Sequence, residues 1–171
     1  NIDISAPTSE EELENILDFS LNIEKPLAIR IPKDTPYSYK FSNYEYGKWN
    51  KVREGNKYMI IACGVMFSEV MKIEKEIGEL LDAAIVSAAW IRPFDIEFIK
   101  KEFPKFKKVI ILEDGIEKSG FGTEILEYVN DLDIDTKIIR KGIKQKFLPH
   151  AKRSELLEEE KLTGKSLLDD I

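Results

Sequence analysis

Four short apolar segments that alternate with segments of helical periodicity constrain the fold of this chain more than any other sequence feature. The apolar segments are 58–63, 83–91, 109–112 and 136–139. Between them, apolar residues recur at spacings of three and four, as in amphipathic helices. Such alternation predicts an α/β fold with a mainly parallel sheet and helices on both faces. Ligands of such sheets bind beyond the carboxyl ends of the strands.

A helix and a strand are predicted ahead of this alternation. Thr8 or Ser9 can cap the helix, because Glu11 and Glu12 stand three residues further on, as in a capping box. The apolar run 26–32 is bounded by prolines and indicates a strand. Residues before Pro7 read as a polar loop. Residues 33–50 are rich in aromatic side chains, which favours an ordered linker over a flexible one.

Composition excludes several classes of protein. The 171 residues suffice for one domain and a short extra segment, and the net charge of -6 is spread along the chain, so we expect no nucleic-acid partner. No apolar run approaches the ~18 residues that span a bilayer, so we expect no membrane partner. The single cysteine, Cys63, excludes an internal disulfide framework and favours a cytoplasmic setting. The first residue, Asn1, is not methionine, and we interpret the chain as a piece of a longer or processed protein.

Three glycine or acidic motifs and one histidine are candidate site features, each with a plain structural alternative. Gly64 ends a predicted strand, but it lacks the glycine spacing of a dinucleotide site and favours a simple turn. Glu113 and Asp114 can serve as acid and base or bind a metal, although a solvated or interface loop is the favoured interpretation. The glycines of 120–122 can bind an anion or permit close packing. His150 has no evident catalytic partners and favours a surface position.

Arg30 is the strongest candidate for a binding residue. It stands on a predicted strand between Ile29 and Ile31, where a charged side chain needs a partner. A guanidinium at the end of such a strand can hold a phosphate through two hydrogen bonds. A structural ion pair is an equally good explanation from the sequence alone.

Seven short motifs lie at 7–13, 28–34, 47–55, 62–64, 91–95, 112–122 and 147–150. In order and spacing they resemble the C-terminal part of the 1-deoxy-D-xylulose-5-phosphate synthase family, which is a transketolase-like group of thiamine-diphosphate-dependent transferases. The chain departs from the family pattern at several positions, among them Lys33, Asp34 and Ala151. Each motif is weak alone, and their order makes the resemblance specific.

The resemblance implies a function and a division of the chain. The family condenses pyruvate with glyceraldehyde 3-phosphate, with loss of carbon dioxide, in isoprenoid precursor synthesis. Residues 1–35 would end a pyrimidine-binding domain, 36–55 would be a linker or hairpin, and 56–171 would be a transketolase C-terminal-like domain. Arg30 would bind the substrate phosphate. No catalytic, cofactor-binding or metal-binding residue is expected in this chain, which alone would be inactive.

The resemblance also implies cofactors and partners. Thiamine diphosphate and Mg²⁺ would be bound by upstream domains of the same enzyme, which would work as a homodimer. The isolated chain would self-associate, with Tyr37, Tyr39, Tyr44 and Tyr46 as candidate exposed residues. Three alternatives stay open: another transketolase-like enzyme, the distal part of a two-chain 2-oxoacid dehydrogenase subunit, and a flavodoxin-like anion-binding regulatory module. The upstream coding sequence separates them.

Overall fold

The strands of this chain form two sheets. The computed structural model describes residues 1–32, 37–41 and 44–169. Position 35, where one predicted domain boundary falls, and the Lys33–Asp34 part of one motif lie outside these residues. The described strands are β1 (Asp3–Ser5), β2 (Leu27–Ile29), β3 (Asn50–Arg53), β4 (Tyr58–Ala62), β5 (Ala83–Ser87), β6 (Trp90–Arg92), β7 (Lys108–Ile116) and β8 (Lys137–Ile143).

The helices of the described part are mostly short. They are α1 (Glu10–Ser20), α2 (Met66–Met71), α3 (Glu74–Glu76), α4 (Ile96–Glu102), α5 (Phe121–Asp131), α6 (Arg153–Glu159) and α7 (Gly164–Leu168). A π-helical turn follows α3 and a 3₁₀ turn follows α4. Among the described residues, no helix is long and apolar enough to cross a bilayer.

The larger sheet has the order β3-β5-β4-β7-β8, and its strands β5, β4, β7 and β8 are parallel, whereas β3 is antiparallel to β5. Alternate residues of β4 enter different cores: Met59 and Ile61 lie in one cluster, and Ile60 and Ala62 in the other. All four are fully buried, which requires cover on both faces. The predicted α/β fold with a mainly parallel sheet is therefore confirmed.

The smaller sheet has the order β2-β1-β6, with β1 parallel to β2 and antiparallel to β6. The prediction of a polar loop before Pro7 was wrong, because residues 3–5 form β1. Its polar side chains find partners inside the fold: the Ser5 hydroxyl donates to the Ala89 carbonyl at 3.0 Å, and Asp3 accepts from the Tyr46 hydroxyl at 2.5 Å. A polar pattern therefore conceals a buried strand.

The apolar segment 83–91 was predicted as one strand, but it divides between the two sheets. Strand β5 ends at Ser87, and β6 begins at Trp90 in the smaller sheet. The two intervening alanines bond to different neighbours, since the Ala88 amide donates to the Ala62 carbonyl and the Ala89 carbonyl accepts from the Ala6 amide. These hydrogen bonds of Ala88 and Ala89 connect the first residues of the chain to the larger sheet.

The structure shows which of Thr8 and Ser9 caps α1. The Ser9 hydroxyl accepts from the Glu12 amide at 3.2 Å, which makes Ser9 the N-cap. The Glu12 carboxylate turns back to accept from the amide and hydroxyl of Thr8, at 2.8 and 2.7 Å. Ser9 is therefore the N-cap, and Thr8 supplies the donors to which the Glu12 carboxylate bonds in return.

The described aromatic side chains between positions 37 and 49 pack against the two cores. The rings of Tyr37 and Tyr39 meet Phe67 edge-on, and Tyr46 lies against Trp90. These tyrosines and Tyr44 are only partly exposed, so they are not the exposed surface that we expected for self-association. Strand β3 pairs with β5, which lies between β3 and β4. The segment therefore ends in a strand of the larger sheet, and the assignment of 36–55 as a linker or hairpin stays a prediction.

Candidate functional site

The carboxyl ends of strands from both sheets meet at one edge of the molecule. Arg30 follows β2, and its amide donates to the Ser5 carbonyl at 2.8 Å. Gly64 follows β4 and donates its amide to the Ala6 carbonyl at 3.0 Å. Gly64 has a φ of +53°, a conformation that glycine adopts without strain. The edge predicted to bind ligands is therefore built jointly by residues 1–32 and the larger sheet.

Asp114 is the partner of Arg30. The register of β7 with β8 is interrupted between Leu112 and Ile116, and Asp114 lies in this irregular stretch. The Arg30 Nη2 atom stands 2.9 Å from Asp114 Oδ1, with 53% of the arginine side chain and 28% of the aspartate side chain exposed. An ion pair this exposed stabilises a fold by only about 0–1 kcal/mol. The pair therefore orients Arg30 more than it holds the protein together.

The guanidinium of Arg30 is open to a second partner. Arg30 and Asp114 line a cleft of about 50 Å³ together with Ala6, Ile31, Pro32, Gly64 and Val65. A guanidinium has five N–H donors, and the hydrogen bond to Asp114 uses one of them. The structural ion pair and the anion contact, which the sequence left as alternatives, are thus compatible. In the sequence, Asp114 is recognisable only as one of two adjacent acidic residues, and no local sequence pattern identifies it as the partner of Arg30.

Glu113 has a structural role that the sequence did not predict. Its carboxylate is buried and accepts the amides of Phe121 and Gly122, at 3.0 and 2.9 Å, at the start of α5. Burial raises the pKa of this carboxyl, although the two amide hydrogen bonds favour its charged form. The sequence favoured a solvated or interface loop here, but Glu113 is buried within the chain and is not solvated.

The loop at 120–122 serves close packing. A Cβ atom on Gly120 would stand 2.4 Å from the nearer carboxylate oxygen of Glu113, so only glycine fits there. The amides at the start of α5 already bond to Glu113, an internal anion. Of the two interpretations left open by the sequence, the structure favours packing over binding of an external anion.

The remaining candidates do not join this site. Cys63 is buried, its Sγ lies 3.8 Å from the Leu112 carbonyl, and burial raises the pKa of its thiol. His150 is exposed in the segment between β8 and α6. Among the residues described, no group of three or more histidine, cysteine, aspartate or glutamate side chains is arranged to hold a metal ion.

Replacing Glu113 with alanine is expected to lower the free energy of unfolding by about 2–3 kcal/mol, because two buried amides lose their acceptor. Urea unfolding followed by circular dichroism measures the loss. Glu97→Ala removes an exposed acid from the first turn of α4 and serves as the matched control, with an expected change within about 0.5 kcal/mol. Equal urea midpoints for the two variants would contradict the role of Glu113 as acceptor for the first amides of α5.

Comparison with known proteins agrees with this architecture. Residues 47–167 match the family described as "Transketolase, C-terminal domain". The chain has the α/β fold with a mainly parallel sheet, and it belongs to the transketolase C-terminal domain family. The predicted resemblance is confirmed.

Two relatives carry the same name. The 1-deoxy-D-xylulose-5-phosphate synthase of Fusobacterium nucleatum subsp. nucleatum is 34% identical over 174 residues, which cover 100% of this chain and 29% of the relative. The synthase of Clostridium perfringens strain SM101 is 38% identical over 157 residues, which cover 89% of this chain and 25% of the relative. The chain thus spans less than a third of the length of these relatives.

Solved structures share the fold. A split gene transketolase, described as an inactive beta4 tetramer, matches with a TM-score of 0.89 at 21% identity, over 99% of this chain and 56% of that one. The transketolase of Campylobacter jejuni matches with a TM-score of 0.74 at 14% identity, over 99% of this chain and 26% of that one. Both matches extend over residues 1–46, which precede the matched family domain.

Proposed function

We propose that this chain is the C-terminal part of a thiamine-diphosphate-dependent 1-deoxy-D-xylulose-5-phosphate synthase. The whole enzyme condenses pyruvate with glyceraldehyde 3-phosphate, releases carbon dioxide and forms 1-deoxyxylulose 5-phosphate. The observation that carries the proposal is the similarity of the entire chain to the C-terminal part of relatives that bear this name. In this enzyme, residues 1–35 end the pyrimidine-binding domain, 36–55 link the domains, and 56–171 form the third domain.

Arg30 binds the phosphate of glyceraldehyde 3-phosphate in this proposal. Its guanidinium is half exposed at the carboxyl edge of the sheet, where ligands of parallel α/β folds bind. Asp114 accepts a hydrogen bond from one guanidinium nitrogen, and the guanidinium has further N–H donors to offer a phosphate. A phosphate dianion gains two hydrogen bonds from a planar guanidinium, and the neutral end of the aldehyde gains none.

The described residues do not fit thiamine diphosphate and its metal ion. They offer no cluster of acidic, histidine or cysteine side chains for a divalent cation. The turn amide of Gly64 and the first amides of α5 are bonded to protein acceptors, so they are not free to hold a diphosphate. In the proposal, the upstream domains hold thiamine diphosphate and Mg²⁺, the whole enzyme is a cytoplasmic homodimer, and this chain contributes substrate contacts.

An activity assay on the protein encoded by the complete reading frame tests the proposed function. With pyruvate, glyceraldehyde 3-phosphate, thiamine diphosphate and Mg²⁺, we expect carbon dioxide and 1-deoxyxylulose 5-phosphate in equal amounts. The 171-residue chain alone is the matched control and is expected to form neither. Transfer of two-carbon units between sugar phosphates, without use of pyruvate, would instead identify a transketolase and refute the proposal.

The isolated chain is expected to bind no thiamine diphosphate, because the part that the structure describes offers no metal cluster and the amides of Gly64, Phe121 and Gly122 already bond to protein acceptors. Calorimetric titration with cofactor and Mg²⁺ should give only the heat of dilution. The full-length protein under the same buffer is the positive control. Saturable binding to the isolated chain at micromolar concentrations, on the order of -8 kcal/mol, would contradict the prediction.

A further inference from the structure

A second cavity lies at the amino ends of the parallel strands, away from the Arg30 edge. It has a volume of about 440 Å³ and is lined by Asn56, Lys57, Tyr58, Lys105 and Lys107. Strand β7 begins beside it at Lys108 and reaches Asp114 six residues later, which is about 20 Å of extended chain. This cavity is therefore separate from the site proposed for the substrate phosphate.

Two further lysines, Lys108 and Lys137, stand at the amino ends of β7 and β8. The Lys108 ammonium lies 5.4 Å from the centre of the Tyr58 ring. Lys108 is the register partner of Lys137 across the sheet, and the Lys137 amide donates to the Lys107 carbonyl. The parallel register therefore places like charges on neighbouring strand starts.

The acidic side chains near this cavity neutralise only part of the charge. Glu102 pairs with Lys105 at 2.7 Å, but it also pairs with Lys51 at 3.1 Å. Asp82 accepts from the backbone and side-chain amides of Asn56. Within the ranges that the structure describes, Lys57, Lys107 and Lys137 form no ion pair. On a chain with a net charge of -6, this is a local excess of positive charge.

The shape of the cavity indicates the size of the ligand. A volume of about 440 Å³ lies in the range of small-molecule sites, and the space is open to solvent. Lysine ammonium groups act as mobile point charges that suit phosphates without demanding one geometry. We propose that this cavity binds a small molecule with several phosphate groups, at a site distinct from the substrate edge.

Calorimetric titration of the 171-residue chain with inorganic tripolyphosphate tests the proposal. We expect saturable binding that weakens as salt is raised, because mobile ions screen the lysines. Lys57→Gln combined with Lys107→Gln is expected to raise the dissociation constant at least about tenfold. Backbone amide shifts in a nuclear magnetic resonance titration of the unaltered chain should concentrate in 56–58 and 105–108.

A double variant elsewhere separates the cavity from net charge. Lys25→Gln combined with Lys165→Gln removes the same two charges from exposed positions outside the cavity. It is expected to change the dissociation constant by less than about twofold. Equal weakening in the two double variants would overturn the proposal, as would the absence of saturable binding at about 10 mM tripolyphosphate in low salt.

Discussion

Replacing Arg30 with alanine in the full-length enzyme is expected to raise the Michaelis constant for glyceraldehyde 3-phosphate far more than that for pyruvate. The phosphate loses a paired, charge-assisted contact, and pyruvate carries no phosphate. Loss of such a contact is expected to reduce kcat/KM for the aldehyde roughly 30- to 1000-fold. Steady-state kinetics with each substrate varied in turn measures the difference.

Two further variants separate binding from structure. Arg30→Lys keeps the charge but loses the planar geometry, so its kcat/KM should fall between those of the wild type and Arg30→Ala. Asp114→Asn removes the ion pair and leaves the guanidinium, so it should affect the aldehyde less than Arg30→Ala does. Equal effects of Arg30→Ala on both substrates, or a collapsed melting temperature with normal kinetics in the folded remainder, would assign Arg30 to structure.

Replacing Glu12 with alanine is expected to destabilise the isolated chain by roughly 3 to 5 kcal/mol. The Glu12 side chain is completely buried, and its carboxylate accepts from the Thr8 amide and hydroxyl, from the Ser87 hydroxyl at 3.1 Å and from the Asn50 amide group at 3.4 Å. These donors come from Thr8, which precedes α1, and from β3 and β5, so Glu12 joins the first helix to the larger sheet. Removing it leaves a cavity and unpaired buried donors together.

Urea unfolding measures the effect, and Glu10→Ala is the matched control. Glu10 lies in the first turn of the same helix but is exposed, so its loss should change stability by less than about 0.5 kcal/mol. Glu12→Gln should cost less than Glu12→Ala, because an amide keeps one acceptor oxygen and fills the same volume. A loss below about 1 kcal/mol for Glu12→Ala would show that α1 is held by other contacts.

Glu12 also gives the stability of the chain a definite dependence on pH. Burial raises the pKa of this carboxyl above its ordinary value of 4.5, and the hydrogen bonds only partly oppose the rise. The folded state therefore holds a proton that the unfolded state has released, and stability falls as pH rises above about 4.5. In Glu12→Gln this decline should be smaller, and Glu113, whose pKa burial also raises, should account for part of what remains.

The amino-acid sequence by itself determined the α/β architecture. Strand β4 and residues 109–112 of β7 are continuous apolar runs, which is the pattern of strands buried on both faces of a parallel sheet. The start of α1 was likewise readable, because a cap and its box are set by residues three and four positions apart. Features that depend on residues close together in the sequence can therefore be predicted without the tertiary structure.

Only the tertiary structure decided which segments pair across long distances. Strand β1 has a polar sequence but is largely buried, because it pairs with β2, 24 residues away, and with β6, 85 to 88 residues away. Arg30 meets Asp114, 84 positions later, through the joining of two sheets and an irregular stretch of β7. Hydrophobic periodicity indicates the environment of a residue but does not identify its partner. The sequence therefore indicated Arg30 as a candidate binding residue, but it could not identify Asp114 as the residue that orients it.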